Sequence, residues 1–437
     1  MKKLLICILA TIYGFGFLDA QNTISGTIVG EKSHNFIEYA SVYIDGTSMG
    51  TMTDSNGRFI LKNLSFPCRL VISCVGFELK SVQLTKATEE NLNIGLREQD
   101  KQLSEISVAG KNRRKQNMEL FKQTFTGDDK WGQHANLAQE DRLLFENKYD
   151  TIQANTIFKD VETIHTFNVK TKSTLMVRLP LLGYDVAVDI VSFAVKTSSF
   201  KQTTEYDMFT RFTPYPLTSK HQIKKIENNR REVYYNSSVY FCRSLFNNKL
   251  KQNGFVTSIQ KRYTVQDTPD PEFDLTPYII EQSKNEIAII GLKSKTIEIS
   301  CYYNSKKCPV SMESFLITDG KPVFPKRYFS NQHNSSITFL SDTCIVYKNG
   351  TIADNNIVFS GDMATYVGGR LLPLDYEPKV TSVTEKLNLN PKTDSSNSKL
   401  LTEFKSETDT SPELKIKKIT KPIITDVMLT CRFILFY

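Results

Sequence analysis

The sequence predicts a mainly β protein: an N-terminal seven-stranded antiparallel β-sandwich, then a β-rich α+β domain with a few helices. Three observations lead there. Between Thr23 and Leu96 apolar and polar residues alternate in short runs broken by turn residues, the period-2 pattern of half-buried strands. The chain carries 27 Phe and 19 Tyr against one Trp, and aromatic side chains pack well on pleated surfaces. Helical spacing stands out at only two places, both beyond Gly110.

The chain opens with MKKLLICILATIYGFGFLDAQN. Lys2 and Lys3 give a positive start, Leu4 to Phe17 an apolar run too short for a comfortable membrane span, and Ala20 a small residue before cleavage at Gln21. Residues 1–20 are therefore expected to be a signal peptide, and the mature chain periplasmic or secreted, with outer-membrane association as a further expectation. Cys7 follows bulky Ile6 and lies too early for a lipoprotein acceptor. No later stretch reaches about 18 consecutive apolar residues, so no transmembrane helix is expected. Apolar content of 40% and charged content of 23% are ordinary for a folded soluble protein. The net charge of +8 is scattered; its densest cluster, Lys220, Lys224, Lys225, Arg230 and Arg231, reads as a solvated helix face. No basic stripe with interleaved aromatics is present, which argues against nucleic acid.

In residues 21–98 each run has an inward set: Ile24, Gly26, Ile28; Ala40, Val42, Ile44; Phe59, Leu61; Leu70, Ile72, Cys74; Val82, Leu84; Leu92, Ile94, Leu96. Asn56-Gly57 favours a type I′ hairpin turn. Inside this region Gly46-Thr47-Ser48-Met49-Gly50 fits G-x-S-x-G, the spacing of a hydrolase nucleophile elbow. An elbow needs a strand, a strained turn and then a helix. No helical pattern follows Ser48, so Gly46 and Gly50 read as turn residues and Ser48 as non-catalytic. Asp54-x-Asn56-Gly57 resembles the start of a calcium loop, but its glycine comes too early and no closing Glu follows. His34 to Glu38 is H-x-x-x-E, one residue longer than a zinc carboxypeptidase pair, and none of the five histidines begins H-x-x-E or H-E-x-x-H. No catalytic, cofactor or metal residue is assigned.

ISGTIVG, EYASVYIDGTSMGTMTDSNGRFIL, LVISCVGFELKSVQL and LNIGLRE together resemble the carboxypeptidase-regulatory-like domain. The resemblance implies a transthyretin-like β-sandwich, itself non-catalytic, of the kind found beside zinc carboxypeptidases and at the N-terminus of starch-utilisation-type TonB-dependent receptors. QLSEISVAG, Gln102 to Gly110, resembles the segment that joins the module to a receptor plug. The chain beyond Gly110 does not resemble a plug, and about 330 residues are too few for a 22-stranded barrel with its plug.

Residues 99–116 are polar and read as a linker to a second domain, 117–378, of unknown function. NMELFKQTFTG reads as a short helix with Met118, Phe121 and Phe125 on one face and Gly127 as its stop. DRLLFENKYDTIQANT and LMVRLPLLGYDVAVDIVSFAVKTSSF read as strands. In the latter Tyr184, Val186, Val188 and Ile190 alternate with Asp185, Ala187 and Asp189, which suggests a polar outer face. NRREVYYNSSVYFCRSLFNNKLKQNGF holds the clearest helix, capped by Asn236 or Ser237, with Phe241 and Leu245 on one face and Gly254 as C′ residue. Strands recur around TIEISCYY, SITFL and CIVYKNGTI, with a hairpin at Asn349-Gly350, and GGRLLPLDYEP ends the folded part. The tail, 379–437, is expected to be mostly disordered, since from Thr381 to Lys418 it is rich in Ser, Thr, Lys, Asn and Glu. Its final PIITDVMLTCRFILFY reads either as a docking strand or as an envelope sorting signal. LGYDVAVDIVSF, NNRREVYYNSSVYFCRSLFNNKLKQNGF and LLPLDYEP resemble the C-terminal part of secreted Gram-negative proteins that carry the same module, a resemblance that implies no catalytic residue.

Cys7 leaves with the leader, and seven of the eight cysteines remain. Cys68 and Cys74 share a strand and stand about 20 Å apart at about 3.3 Å per residue, beyond bridging reach. Cys301 and Cys308 flank YYNSKK and could close a hairpin under oxidising conditions. No C-x-x-C is present. The reading these observations favour is a non-enzymatic envelope binding or scaffold protein, an accessory to outer-membrane nutrient uptake being a special case. Its partner would be an envelope protein or a glycan, taken at the sandwich edge near TSMGTMTD by strand addition. The alternative is a secreted hydrolase with its site in the second domain, drawing on Asp185 and Asp189, or on His165 and His221.

Overall fold

The computed structural model describes residues 22–86, 91–99, 111–153, 161–171, 173–198, 202–259, 272–304, 307–313, 317–318, 321–322, 331–353, 356–364, 368–378 and 427–431. The leader and nearly all of the tail expected to be disordered lie outside the described residues. The strands and helices belong to one compact unit, Met1–Tyr376 with Asp426–Tyr437.

The N-terminal module has seven strands: β1 (Ile24–Gly30), β2 (Ser41–Ile44), β3 (Gly50–Met52), β4 (Arg58–Leu61), β5 (Cys68–Ser73), β6 (Lys80–Leu84) and β7 (Leu92–Leu96). They form two sheets, ordered β4-β1-β7 and β3-β2-β5-β6. The inward sets of the alternating runs build the shared core, with Ile24, Ile28, Val42, Leu70, Ile72 and Leu96 wholly buried. One ladder, β1–β7, is parallel and the others antiparallel, because the chain returns to its first strand after crossing to the other sheet. The Asn56-Gly57 turn is not a type I′ hairpin. Only Gly57 has positive φ (68°), and β3 and β4 on either side belong to different sheets. Asp54 shapes the turn instead: its Oδ1 accepts from the amides of Asn56 (2.9 Å) and Arg58 (2.8 Å).

The second domain begins with α1 (Lys111–Phe125), which takes in the end of the polar stretch expected to be linker. Lys, Arg and Gln are good helix formers, and Arg114 ties this first part down by donating to the carbonyls of Leu143 and Glu140. Phe121 and Phe125 lie stacked at 5.0 Å and wholly buried, each contributing roughly 1.5–3 kcal/mol of burial energy. Gly127 stops the helix with φ at 93°, its amide bonding back to Lys122 O. Next come α2 (Lys130–His134), β8 (Asn136–Ala138), β9 (Leu143–Gln153), β10 (Val161–Thr171), β11 (Leu175–Leu179), β12 (Tyr184–Thr197) and β13 (Gln202–Pro214).

Two helices come after β13, α3 (Lys220–Tyr235) and α4 (Ser238–Phe246), with Asn236 and Ser237 between them. Ser237 caps α4, its Oγ accepting from Tyr240 N at 3.1 Å. Gly254 is not the C′ residue. Asn248 takes that left-handed position (φ 53°), Lys249 N bonds to Ser244 O, and Gly254 closes a separate turn before β14 (Phe255–Ile259). Then come β15 (Ile279–Ser283), β16 (Glu286–Ile290), β17 (Thr296–Tyr303), the short pair β18 (Ile317–Thr318) and β19 (Lys321–Pro322), β20 (Asn331–Phe339), β21 (Thr343–Tyr347), β22 (Ile357–Gly361) and β23 (Val427–Cys431). The expected hairpin at Asn349-Gly350 forms, with Tyr347 N bonded to Thr351 O.

An 11-stranded sheet runs through the domain in the order β14-β17-β20-β22-β23-β13-β12-β10-β9, with β11 beside β12 and β8 beside β11. Strand β23 pairs parallel with β13 and antiparallel with β22. Two cores lie on this sheet. One gathers α1 and α2 over β9–β13; the other gathers α3 and α4 with the three-stranded sheet β15-β16-β21. The face of β12 and β13 turned away from the first core receives the module.

Candidate functional site

The G-x-S-x-G segment is the loop between β2 and β3. Ile44 N bonds to Met49 O across its base, and Thr47 Oγ1 donates to Ile44 O (2.8 Å) while accepting from Met49 N (3.1 Å). The loop's role is set by its backbone. Gly46 N donates to Thr210 O (2.8 Å), Phe212 N donates to Thr47 O (3.0 Å), and Leu374 N donates to Gly46 O (2.6 Å). The loop thus lies against the edge of β13 and under the LPLDYE segment, a short strand addition within one chain. Gly46 is required twice over: φ is +71°, and a Cβ there would stand 2.8 Å from Leu374 Cδ1. Ser48 Oγ donates to Asp375 Oδ2 at 2.5 Å. After Ser48 comes β3, not a helix, so the strand–turn–helix geometry of an elbow is not formed. The edge near TSMGTMTD, expected to meet an outside strand, is in its first half used by the chain itself.

Above this loop the outer face of β2 and β5 meets β12 and β13. Tyr43 and Val71 point away from the module's own core, yet both are buried, packed with Phe209. Tyr43 Oη donates to Asp189 Oδ2 at 2.7 Å, and Thr174 Oγ1 donates to Asp189 Oδ1 at 2.5 Å. Burial, then the Asp189 charge, holds the Tyr43 hydroxyl well above the usual tyrosine range. Asp189 is therefore not on a polar outer face: the module covers it, and it is 7% exposed. Asp185, on the same side of β12, accepts from Tyr215 Oη (3.2 Å) and pairs with Arg178 (3.7 Å). The two carboxylates work with separate partners and form no acid–base pair. Arg211 donates to Ser41 Oγ (2.9 Å) and lies over the Tyr43 ring, and Arg69 lies over Phe209. Two more carboxylates complete this seam. Asp45 accepts from Thr210 N at 3.0 Å, and burial, opposed by that amide and by Arg69, pushes its carboxyl up to about 6. Asp207 is buried, its Oδ1 has no hydrogen-bond partner, and burial opposed by Arg69 likewise pushes it up to about 6.

The three second-domain segments that carried the resemblance meet beside the seam. Arg230 of α3 lies 4.0 Å over the Tyr184 ring and donates to Leu182 O and Gly183 O. Arg243 of α4 donates to Leu374 O, Tyr376 O, Asn349 O and Tyr234 Oη. Tyr376 packs edge-on against Tyr234 and donates to Glu227 at 2.9 Å. Arg370 holds Asp129, the cap of α2 (2.9 Å). The LLPLDYEP segment therefore straps helices α3 and α4 to the module's loop.

The other candidates do not converge. His165 bonds to Asn147 (2.7 Å) and stacks on Tyr149, while His221 is exposed on the first turn of α3. An open depression of about 220 Å³ on β9, β10 and β12 is lined by Glu146, Lys148, Asn168, Lys170 and Ser192 among others, none of them a predicted site residue. One pair was missed by sequence reasoning: His333 Nδ1 lies 3.2 Å from Asp362 Oδ2. The 29 residues between them follow no motif spacing. Across the ladder from His333 stands Cys301, the natural place for a nucleophile. Its thiol is 1% exposed and burial pushes it up to about 12, the opposite of activation. Cys301 and Cys308 are both thiols. The hairpin they flank forms, but Tyr303 faces Pro309, which puts Cys301 opposite Ser311 and Cys308 opposite Asn304. Among the described residues no group of three or more His, Cys, Asp or Glu is placed to hold a metal ion, and no helix is long and apolar enough to cross a membrane.

Comparison with known families agrees with the architecture of the module. The CarboxypepD_reg-like domain family matches residues 24–108, the module and the segment after it. No curated protein matches the chain in sequence.

Proposed function

We propose that this chain is a non-enzymatic cell-envelope protein that binds a protein or glycan partner through its carboxypeptidase-regulatory-like module, with the second domain as the module's rigid mount. One observation carries the reading. The module is fixed mainly by one sheet, β3-β2-β5-β6, and by the loop at Gly46–Ser48, while among the described residues no strand of the second domain pairs with the other sheet, β4-β1-β7. On that sheet and in the loop that joins β1 to β2, Ile60, Phe36 and Tyr39 are each more than half exposed. Large apolar residues grouped on a surface mark interaction sites more often than scattered ones do. A signal peptide would deliver the chain to the envelope, where support of outer-membrane nutrient uptake is the special case this reading allows.

The test is a pull-down from envelope extracts with the full chain and with a Phe36→Ser/Ile60→Ser variant, whose substitutions lie outside the seam. Partners captured by the unmodified chain should be lost in the variant; an unchanged set removes the open sheet as the binding face. The rival reading, a hydrolase in the second domain, finds its best-placed imidazole–carboxylate pair among the described residues in His333 and Asp362. It predicts a hydrolytic activity that a His333→Ala variant loses.

A further inference from the structure

The seam between module and sheet holds more acid than base. Asp45 from the loop after β2, Asp189 from β12 and Asp207 from β13 meet two guanidinium groups, Arg69 from β5 and Arg211 from β13. The other titratable and charged groups beside it have partners: Tyr43 donates to Asp189, Lys196 is paired with Glu205 at 3.0 Å, Asp185 with Arg178 at 3.7 Å, and Asp375 accepts from Ser48 Oγ. The neutral amide of Gln83 stands next to Arg69. Asp189 has two hydroxyl donors. Asp207 is 6% exposed and one of its oxygens has none. A buried carboxylate oxygen without a donor is costly while charged, and much less so once a proton is added.

We propose that the seam is a proton-operated latch: protonation of Asp45 and Asp207 closes the module onto the large sheet, and loss of those protons loosens it. The proton comes from solvent, adds to one carboxylate oxygen, and converts a buried anion into a neutral group that can donate. The direction comes from linkage. Apart, both side chains return to water and to the ordinary Asp value of about 3.9. Docked, burial raises both to about 6. Docking therefore takes up protons, so it strengthens as pH falls through about 6 and gains little more below about 4. From pH 7 to pH 5 each carboxylate tightens docking by about tenfold. Asp45 and Asp207 repel each other and titrate as a pair, so the two together give between about tenfold and a hundredfold. This holds whether or not the open sheet has a partner.

The test is amide hydrogen exchange on the full chain. Gly46 and Phe212 donate across the seam, whereas Ile28 donates to Gly57 inside the module and serves as the control. After correction for the intrinsic pH dependence of exchange, protection at Gly46 and Phe212 should rise at least about tenfold from pH 7 to pH 5 relative to Ile28. An Asp45→Asn/Asp207→Asn variant should hold that protection constant across the range. Equal protection at both pH values, or a variant that keeps the slope, overturns the latch. Should the variant lose protection at Ile28 as well, carboxyl NMR of the unmodified chain decides: titration of Asp207 near 6 supports the latch, and titration near 4 overturns it.

Discussion

Replacing Gly46 with alanine tests the docking loop at a single atom. The backbone there has φ at +71°, which costs an L-residue roughly 1–2 kcal/mol. The new Cβ would stand 2.8 Å from Leu374 Cδ1 and 3.1 Å from its Cγ. Leu374 cannot retreat as a whole, because its amide is bonded to Gly46 O at 2.6 Å. Overpacking of this kind costs about 1–3 kcal/mol. The sum is about 2–5 kcal/mol, and because the leucine tip can turn aside, the lower half of that range is expected. Gly76 supplies the control. It has φ at +87° but nothing within 4 Å of where an added methyl group would sit, so Gly76→Ala carries the conformational cost alone. Urea unfolding followed by circular dichroism should show Gly46→Ala less stable than Gly76→Ala by about 1 kcal/mol or more. If Gly46→Ala is no worse than Gly76→Ala, the loop does not dock as described.

Three further outcomes are expected. Tyr43→Phe removes one of the two hydroxyl donors to buried Asp189 and should cost about 1–3 kcal/mol in urea unfolding, without loss of module strand content. Arg243→Met leaves the carbonyls of Asn349, Leu374 and Tyr376 without their donor and should cost about 2–4 kcal/mol; Arg243→Lys should recover only part, since an ammonium cannot span the same fork. Below about pH 4 the chain should lose stability through Asp362 and Glu232. The His333 hydrogen bond lowers Asp362, and bonds from Lys307 and Lys130 lower Glu232 despite its burial, so both contributions vanish as the folded carboxylates protonate; thermal unfolding of the Asp45→Asn/Asp207→Asn variant, which lacks the opposing seam carboxylates, at pH 5 and pH 3 reads the difference.

The module was legible because its inward sets are local: each strand announces its buried face through alternation, and the turns between them are short. The seam was written in the same strands but less plainly. In β2, Val42, Tyr43 and Ile44 are consecutive, and in β5 Leu70, Val71 and Ile72 are, so both strands are apolar on two faces. A continuous apolar run marks a strand covered on both sides, and Tyr43 and Val71 are the residues that a second layer covers. Asp189 misled because a carboxylate on the polar side of an alternating strand ordinarily faces water. The helix break at Asn236-Ser237 was marked by its capping serine. The order of the 11-stranded sheet was not readable, since β14 with β17, and β23 with both β13 and β22, are paired by tertiary packing between distant segments. The His333–Asp362 pair was hidden for the same reason.

The module is built into the fold, not carried beside it, and one fluorophore can test this directly. The single tryptophan, Trp131, is buried in the second domain, and the module has none, so its fluorescence reports the second domain alone. Leu70→Ala strikes the module's core at a wholly buried position and should cost about 2–5 kcal/mol. If module and sheet unfold as one unit, the urea midpoint seen by Trp131 falls together with that seen by circular dichroism. If the module is independent, Trp131 keeps its original midpoint while the dichroism shows an earlier, separate transition.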